Sequence, residues 1–273
     1  MQIRFRQIPK EKDIDKLKIR REALVNSLPE YSDMTPEERL SIFNLHKYRY
    51  LEMLNLLPPE HKKLKILDVG CGQGFLTVLI KKWCNCDVYG LDIEVEEREH
   101  FRSEKIPVKA CNVEKENFPF RDNFFDYVIC NEIIEHLMFS PFQMLKEIHR
   151  VLKSGGMLIL TTPNMATLIK RVRFMLGKNI YPPYSIHYKT PLHDRHNREY
   201  VMAEVKQLLL EHGFVINKAF YSNCFEKITP IGPEGYFPGV KGFRRRLYFL
   251  ATQLYPPFRA SMVIEASKKD HLL

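Results

Sequence analysis

The 273-residue sequence lacks any uncharged apolar run as long as the roughly 18 residues that a membrane-spanning helix needs. Charged residues occur throughout its first 30 positions, so we expect no secretory signal peptide. It has only six cysteines, mostly inside short apolar runs, which without an export signal is typical of reduced thiols rather than of disulfides. Internal repeats and low-complexity tracts are absent, and a hydrophobic content of 45% excludes a disordered chain. These absences predict a folded cytoplasmic protein.

Positive charge is concentrated in the last part of the chain. Residues 168–273 contain 17 Lys and Arg against 8 Asp and Glu, whereas residues 1–167 contain 25 of each. The whole net charge of +9 therefore belongs to the last 106 residues. This asymmetry predicts contact with an anionic partner or surface, although a solvated basic face without a partner would give the same count.

Short apolar runs alternate with helical spacings through the middle of the chain. A helical stretch at 1–60 precedes the first run at 64–69, and later runs end near residue 266. Strands that alternate with helices indicate βαβ units and a mostly parallel sheet covered on both faces. We therefore predict an N-terminal helical cap at 1–60 and one α/β domain at 61–273. A polar, proline-rich loop near 177–198 and a basic segment at 230–260 interrupt that domain.

The segment Leu67–Phe75 carries three glycines at alternate positions between a predicted strand and a predicted helix. Gly70, Gly72 and Gly74 would let the backbone turn sharply and approach a ligand, and a helix N-terminus favours a negative group. The next predicted strand ends at Asp92, eighteen residues after Gly74, where a carboxylate can accept both hydroxyls of a ribose. Together these features predict a site for a nucleoside-containing cofactor.

The glycine spacing distinguishes between two cofactor classes. A dinucleotide fingerprint needs its third glycine three positions after the second, and here Phe75 occupies that position. The sequence instead resembles the first motif, D-x-G-x-G-x-G, of class I S-adenosylmethionine-dependent methyltransferases. Further segments resemble the small-molecule branch of that family, which includes ubiquinone-biosynthesis enzymes. They occur in the same order as in the family, and the resemblance covers residues 40–220. These segments are Cys111–Val113, Phe124–Ile129, Ile133–His136, Val151–Gly156 and Thr162–Asn164.

The resemblance implies a fold and a cofactor. The fold is α/β: a Rossmann-like, doubly wound sheet of seven strands, mostly parallel with an antiparallel last strand, plus the N-terminal helical cap. The cofactor is S-adenosyl-L-methionine, and the product is S-adenosyl-L-homocysteine. The methionine end of this cofactor is assigned by resemblance to Asp68, Gly70, Cys71, Gly72 and Gly74, with Cys71 as a small loop residue rather than a nucleophile.

Other cofactor contacts also follow from the resemblance. Asp92 is expected to hold the ribose and Ile93 to pack against adenine. Asn112, where the family often has Asp, is expected to accept a hydrogen bond from the adenine amino group, with the Val113 N–H at an adenine ring nitrogen. Asn131 is expected to border the transferred methyl group. His46 and Arg49 share a helix face that similar enzymes bring over the cofactor carboxylate. A surface arginine would explain that last pattern equally well.

The absence of two motifs restricts which kind of atom can accept the methyl group. The segment Asn131–Ile134 reads N-E-I-I, not the D/N-P-P-Y/F typical of base amine methylation. No cysteine follows a proline, as carbon-5 methylation of pyrimidines requires. An oxygen acceptor activated by a general base fits best, on a small molecule or a lipid- or glycan-linked metabolite.

Glu132, Glu135 and His136 form the pattern E-x-x-E-H. Similar small-molecule enzymes often place this histidine near the substrate, so we expect His136 to act as base or positioning group, with Glu135 and His196. Small-RNA terminal 2′-O-methyltransferases are similar here and hold a divalent metal with these residues and a later histidine. We expect no metal and no nucleic acid. A metal-assisted RNA 2′-O-methyltransferase and a catalytically silent cofactor-binding protein stay open as alternatives.

The basic segment at 230–260 combines arginines with aromatic and aliphatic residues. Three arginines, Arg244–Arg246, precede the apolar stretches Leu247–Leu250 and Leu254–Phe258. Cationic residues beside aromatic and apolar ones suit peripheral contact with an anionic membrane, through Arg244–Phe258. An ordinary core helix with its arginines in solvent would show the same pattern.

Overall fold

A computed structural model gives the structure of the chain. It describes residues 20, 23, 36–95, 99–191, 195–222, 224 and 242–269. Most of the predicted helical cap before residue 36, and the part of the basic segment from 230 to 241, lie outside the described residues.

Seven strands form one sheet in the order β3-β2-β1-β4-β5-β7-β6. The strands are β1 (Lys65–Val69), β2 (Asp87–Asp92), β3 (Val108–Ala110), β4 (Phe125–Asn131), β5 (Leu152–Pro163), β6 (Phe214–Ser222) and β7 (Ser261–Lys268). All neighbours from β3 to β5 pair in parallel, while β7 is antiparallel to both β5 and β6. The predicted mostly parallel sheet with an antiparallel last strand is therefore confirmed.

Helices cover both faces of this sheet. They are α1 (Pro36–Leu56), α2 (Phe75–Cys84), α3 (Glu99–Ser103), α4 (Phe142–Val151), α5 (Leu168–Met175), α6 (Tyr184–Lys189), α7 (Met202–Glu211) and α8 (Gly242–Leu254), with a 3₁₀ turn at Pro256–Phe258. Successive residues of a strand point to opposite faces. Leu67 of β1 accordingly joins one buried cluster with α4 and α7, while Ile66 joins another with α1 and α2. The doubly wound arrangement follows from this alternation.

Helix α1 packs directly on one face of the domain. Met53, Leu54 and Leu57 at its C-terminal end are buried in the same cluster as Trp83 of α2. The indole N–H of Trp83 donates to the Leu57 carbonyl at 3.2 Å. A division of the chain near residue 60 stays a prediction.

The strand order positions the candidate site. The order runs from β1 outward to β3 on one side and through β4 and β5 on the other, so the winding changes direction between β1 and β4. Ligands of open α/β sheets bind beyond the carboxyl ends of the strands at such a point. Here those ends are Val69 and Asn131. Among the helices in the described ranges, none has both the length and the apolar character needed to cross a bilayer.

Candidate active site

The glycine loop after β1 is folded tightly by its own backbone. The N–H groups of Gly70 and Cys71 donate to the Leu91 carbonyl of β2 at 2.7 and 3.2 Å, and the Gly74 N–H donates to Cys71 at 2.8 Å. Gly70, Gly72 and Gly74 have φ values of 71°, 48° and 80°. L-residues with side chains rarely adopt this left-handed conformation, so the loop requires its glycines.

The three glycines differ in what surrounds them. A Cβ on Gly70 would lie 2.0 Å from Cδ1 of Ile133, and a Cβ on Gly74 would lie 2.4 Å from the Phe101 ring. A Cβ on Gly72 would meet no described atom within 4 Å. The protein therefore packs closely against Gly70 and Gly74, while Gly72 borders open space that a ligand can enter.

Two carboxylates flank this loop. Asp92 Oδ2 accepts from the Gly72 N–H at 2.7 Å. Asp68 is buried at the end of β1, and its Oδ2 accepts from the Thr77 hydroxyl at 2.7 Å. Burial raises the pKa of Asp68 to about 7, opposed by the bond from Thr77 and reinforced by the negative charge of Asp92. A cationic ligand group beside Asp68 would favour its ionised form.

The ends of β2 and β3 bring the predicted adenine contacts to neighbouring positions. Asp92 pairs with Ala110, so Ile93 and Asn112 follow adjacent strand ends. Ile93 is 57% exposed, and Val113 is half-buried. The Asn112 side-chain oxygen accepts from the Glu114 N–H at 3.1 Å. A carbonyl oxygen has two lone pairs, so this oxygen can accept a second hydrogen bond.

An arginine links α1 to the end of β4. Nη1 of Arg49 lies 3.1 Å from Oε2 of Glu132, and Nη2 of Arg49 lies 2.6 Å from Nδ1 of His46. Burial, and then the charge of Arg49, lower the pKa of His46 to about 3. His46 is therefore neutral and accepts the arginine N–H at Nδ1. Next to this pair, Asn131 accepts from the Thr161 hydroxyl at 2.9 Å.

Glu135 and His136 lie in a turn after β4 rather than in a helix. Glu135 is fully buried, and its Oε2 accepts from the Thr162 hydroxyl at 2.9 Å. Its Oε1 has no hydrogen-bond partner among the described residues and lies 3.8 Å from Nε2 of His136. Burial, with the charge of Glu132 adding to it, raises the pKa of Glu135 well above the usual range.

The hydrogen bond at Nδ1 of His136 defines its tautomer. Nδ1 lies 3.1 Å from the Arg195 carbonyl oxygen, which can only accept. Nδ1 therefore carries the proton, and in the neutral ring Nε2 is the basic nitrogen. The ring is 27% exposed, so a substrate can reach it.

His196 stands against His136 from the opposite segment. The two ring centroids are 5.0 Å apart and the rings are nearly perpendicular. Nδ1 of His196 lies 3.2 Å from Oε1 of Glu199, whose Oε2 pairs with Lys170. Burial alone would raise the pKa of Glu199, but the bonds from His196 and Lys170 hold it below the usual range.

The structure thus brings together the three residues predicted to be catalytic. One ligand atom each from Glu135, His136 and His196 lies within 4.8 Å of the other two. The predicted cofactor residues lie at the neighbouring ends of β1 to β4, apart from His46 and Arg49 on α1. Their individual roles stay predictions.

Several supporting residues escaped the sequence analysis. The hydroxyls of Thr77 and Thr162 donate to Asp68 and Glu135, and the Arg195 carbonyl accepts from His136. These three supporting residues lie in segments that are distant in sequence or carry no motif. Glu199 had one available signal, its position three residues after His196. His100, buried and 2.9 Å from the Gln73 carbonyl through Nε2, supports the glycine loop.

Comparison with known proteins gives consistent results. The family described as "Methyltransferase domain" matches residues 67–160. A Mycobacterium tuberculosis protein named "Probable S-adenosylmethionine-dependent methyltransferase" is 27% identical over 190 residues, which are 68% of this chain and 63% of that protein. The mouse mitochondrial ubiquinone biosynthesis O-methyltransferase is 35% identical over 127 residues, which cover 43% of this chain and 33% of the mouse protein. The chain therefore spans less than two thirds of the length of these relatives.

A solved structure supports the fold. The chain resembles an S-adenosylmethionine-dependent methyltransferase from Archaeoglobus fulgidus with a TM-score of 0.54 and 20% identity, over 82% of this chain and 97% of that one. This similarity, at low identity, concerns the Rossmann-like architecture alone.

Proposed function

We propose that this chain, which carries a class I S-adenosylmethionine-dependent methyltransferase domain, methylates an oxygen atom of a small, lipid-linked or glycan-linked acceptor. When bound, S-adenosylmethionine supplies the methyl group. The remaining chemistry belongs to the residues of the chain, which bind, orient and deprotonate.

The glycine loop and its two carboxylates fit such a cofactor. Gly72 borders open space, and Asp92 stands beside it at the end of β2, where a carboxylate can accept ribose hydroxyls. Asp68, with its raised pKa, is suited to stand near the cationic methionine end, which would favour its charged form. Arg49 and His46 lie on α1 beside Glu132, so a carboxylate ligand could compete for the arginine.

The observation that carries the oxygen-acceptor proposal is the bond between Nδ1 of His136 and the Arg195 carbonyl. It directs the basic Nε2 toward the cluster with Glu135 and His196. Nε2 can take the proton of an acceptor hydroxyl, which makes the oxygen nucleophilic. Bound S-adenosylmethionine would supply the methyl group in line with that oxygen and would leave as S-adenosylhomocysteine. Glu135 in its ionised form would stabilise the imidazolium that forms next to it, and that positive charge would in turn lower the pKa that burial raises in Glu135.

The test has two parts that report separately on cofactor and acceptor. Calorimetry should show binding of S-adenosylmethionine and S-adenosylhomocysteine, and mass spectrometry of the purified protein should detect either as a co-purified ligand. Transfer of labelled methyl from the cofactor should then be followed with phenolic, lipid and glycan acceptors. Binding without any transfer would favour a catalytically silent cofactor-binding protein, and the absence of binding would overturn the proposal.

A second candidate, metal-assisted methylation of an RNA 2′-hydroxyl, is favoured by the same cluster. The donor set of one carboxylate and two imidazoles suits a divalent transition metal, and Oε1 of Glu135 is buried without a hydrogen bond. Each histidine also binds an acceptor through Nδ1, as metal-ligating histidines usually do. Glu135, His136 and His196 would hold the cation, which would polarise the acceptor hydroxyl.

Metal binding and RNA binding distinguish this candidate. Calorimetry with Mn²⁺ or Zn²⁺ should show one site in the wild type and none in His196→Ala, and activity should be lost on chelation. RNA binding should weaken steeply as salt increases. Chelator-resistant activity would reject the metal, and activity indifferent to RNA would reject the RNA acceptor.

The basic segment supports peripheral contact of a cytoplasmic protein with an anionic membrane through Arg244–Phe258. Arg246, Leu247, Phe249, Leu250 and Leu254 of α8 are exposed, while Tyr248 and Thr252 are buried. Helix α8 therefore packs on the domain along one side and exposes apolar and cationic residues on the other. The side chains of Arg244 and Arg245 lie outside the described residues.

A further inference from the structure

Helix α5 makes unusually little use of its apolar residues. It contains Leu168, Ile169, Val172, Phe174 and Met175, yet none of its residues is buried in the part of the chain that the structure describes. Residues 171–179 are exposed without interruption. Phe174 is 74% and Met175 is 83% exposed, far more than apolar side chains of an ordinary core helix. This helix presents its apolar side chains to the exterior.

The exposed apolar character continues beyond α5 into the next segment. Leu176, Tyr181, Tyr184 and Tyr188 are all at least half exposed. No acidic residue occurs between Glu147 and Asp194 in the sequence. Between residues 168 and 191 the Lys and Arg residues are Lys170, Arg171, Arg173, Lys178 and Lys189, of which only Lys170 pairs with an acid, Glu199, among the described contacts. Residues 171–189 are thus apolar and cationic together.

Helix α5 lies next to the end of α8. The guanidinium of Arg171 stands 5.6 Å from the ring centroid of Phe258, which follows α8 in the 3₁₀ turn. The Asn164 amide donates to the carbonyls of Pro257 and Arg259 at 3.0 and 2.8 Å, which fixes the start of the α5 segment against the same turn. Helix α8 is also without acidic residues. We call the exposed residues of 171–189 and of α8 the basic apolar surface.

The basic apolar surface is joined to the candidate active site. Arg195 donates to the carbonyls of Thr190 and Tyr188 at 2.7 and 3.1 Å, and its own carbonyl accepts from Nδ1 of His136. One residue therefore connects the end of α6 with the proposed base. The end of this surface therefore lies close to His136.

We infer that the basic apolar surface docks the protein on an anionic lipid membrane, with α5 and residues 176–189 as the inserting element beside α8. Exposed cations supply attraction to anionic headgroups, and exposed Phe, Met, Leu and Tyr side chains suit the boundary between headgroups and acyl chains. The membrane would then present a lipid-borne acceptor. That last step rests on the proposed methyl transfer, whereas the docking, which extends the proposed membrane contact of α8 to α5 and residues 176–189, does not.

Charge and side-chain chemistry favour the membrane over other occupants. A second copy in a symmetric dimer would bring the same cationic patch against itself, because a twofold interface uses one surface twice. A nucleic acid would gain little from Met175, Leu176, Leu250 and Leu254, which offer neither stacking rings nor base-specific hydrogen bonds. An anionic bilayer satisfies both the cations and the aliphatic side chains.

The test measures co-sedimentation of the full chain with vesicles. Phosphatidylcholine vesicles with about a third phosphatidylglycerol should bind the protein, pure phosphatidylcholine should not, and binding should fade as salt rises from about 0.05 M to about 0.5 M. Phe174→Ser/Met175→Ser should lower the partition coefficient more than about tenfold. The matched control Leu210→Ser/Val215→Ser removes two exposed apolar residues elsewhere and should bind as the wild type does.

Charge variants provide a second, independent readout. Arg173→Gln/Lys178→Gln should reduce binding to anionic vesicles about fivefold per charge. Lys62→Gln/Lys63→Gln, with two exposed lysines outside the surface, should change it little. Absent binding, or equal effects of test and control variants, would overturn the inference. So would a wild-type dimer in light scattering that Phe174→Ser/Met175→Ser converts to a monomer.

Cofactor calorimetry on the same samples separates this inference from the proposed function. All four variants should bind S-adenosylmethionine as the wild type does, because none lies in the glycine loop. A wild type that binds the cofactor but does not bind anionic vesicles rejects the docking inference alone. A wild type that docks but does not bind the cofactor rejects the proposed function alone.

Discussion

Asp92 links the glycine loop to the proposed ribose position through a single side chain. Its Oδ2 accepts from the Gly72 N–H, and its Oδ1 accepts from the Glu94 N–H at 3.3 Å. Asp92→Ala should weaken S-adenosylmethionine binding roughly 30- to 150-fold, because it leaves the ribose hydroxyls and the loop N–H without their acceptor. Calorimetry measures this, with Asp87→Ala at the opposite end of β2 as the control. Unchanged affinity would reject the ribose assignment.

His136 is the residue on which the proposed proton transfer depends. His136→Ala should lower the methyl-transfer rate by roughly 10²–10⁴ while cofactor affinity stays close to that of the wild type. His136→Gln can still donate to the Arg195 carbonyl but has no basic nitrogen, so it should lose as much activity. Initial rates with saturating cofactor measure both, and the exposed His61→Ala is the control. Full activity of His136→Gln would leave this residue a structural role only.

His46 should give stability a measurable dependence on pH. The pKa of His46 is about 3 in the folded chain, whereas an unperturbed histidine, as in the unfolded chain, has a pKa of 6.5. Between these values the unfolded state binds a proton that the folded state does not, so this residue makes stability rise with pH through that window. His46→Gln retains an acceptor for Arg49 and removes the titration. Its free energy of unfolding should therefore gain less than the wild type between pH 4 and pH 7, by an amount of about 3 kcal/mol.

Asp68 acts on stability in the opposite direction. Burial raises its pKa from 3.8 to about 7, so the folded state retains a proton that the unfolded state has lost, and stability falls as pH rises through that range. The His46 prediction is therefore checked by the difference between variant and wild type in denaturant unfolding at each pH. Parallel profiles for the two proteins would contradict it.

At the level of elements, the turn from β1 to α2 combines a folding requirement with a binding requirement. Gly70→Ala should destabilise the fold by more than about 2 kcal/mol, because its Cβ would meet Ile133 at 2.0 Å in a left-handed backbone. Gly72→Ala should cost only about 1 kcal/mol but weaken cofactor binding at least about tenfold, because its methyl group occupies the open side of the loop.

Thermal unfolding and calorimetry on the same two proteins separate these effects. Gly155→Ala is a matched control, since it has a positive φ of 68° and no described atom within 4 Å, but lies in the irregular part of β5 between Leu152 and Met157. It should lose about as much stability as Gly72→Ala and keep cofactor affinity. Equal cofactor affinities for Gly72→Ala and Gly155→Ala would contradict the proposed position of the ligand.

In the whole molecule, α1 contributes to the core that supports the site. Leu54 is fully buried against the α2 side of the sheet, and Arg49 one turn earlier pairs with Glu132. Leu54→Ala should cost about 2–5 kcal/mol, and unfolding should remain a single transition. Denaturant unfolding followed by circular dichroism and by Trp83 fluorescence measures this, with exposed Lys62→Ala as the control. Two separate transitions would instead make α1 an independent cap.

Local pattern was sufficient for much of this architecture. The glycine spacing at 70, 72 and 74, the carboxylate at the end of β2 and the alternation of strand and helix periods all act over a few residues. Each reflects a local requirement: positive φ in a turn, an apolar run in a buried strand, one apolar face on a helix. The predicted strand at 64–69 accordingly agrees with β1 to within one residue, and the predicted last run, which ends near residue 266, agrees with the end of β7 to within two.

The contacts within the candidate active-site cluster were decided only by tertiary structure, although its three residues were named from the sequence. His136 and His196 are 60 positions apart, and the contact between them depends on the segment that returns across the end of β4 through Arg195. The pairing of Arg49 with Glu132 likewise depends on where α1 packs. Helix α5 has the amphipathic pattern of a buried helix, yet it lies exposed at the surface. The spacing of apolar residues predicts that a helix has an apolar face. The partner of that face, however, depends on chain segments that meet only after folding.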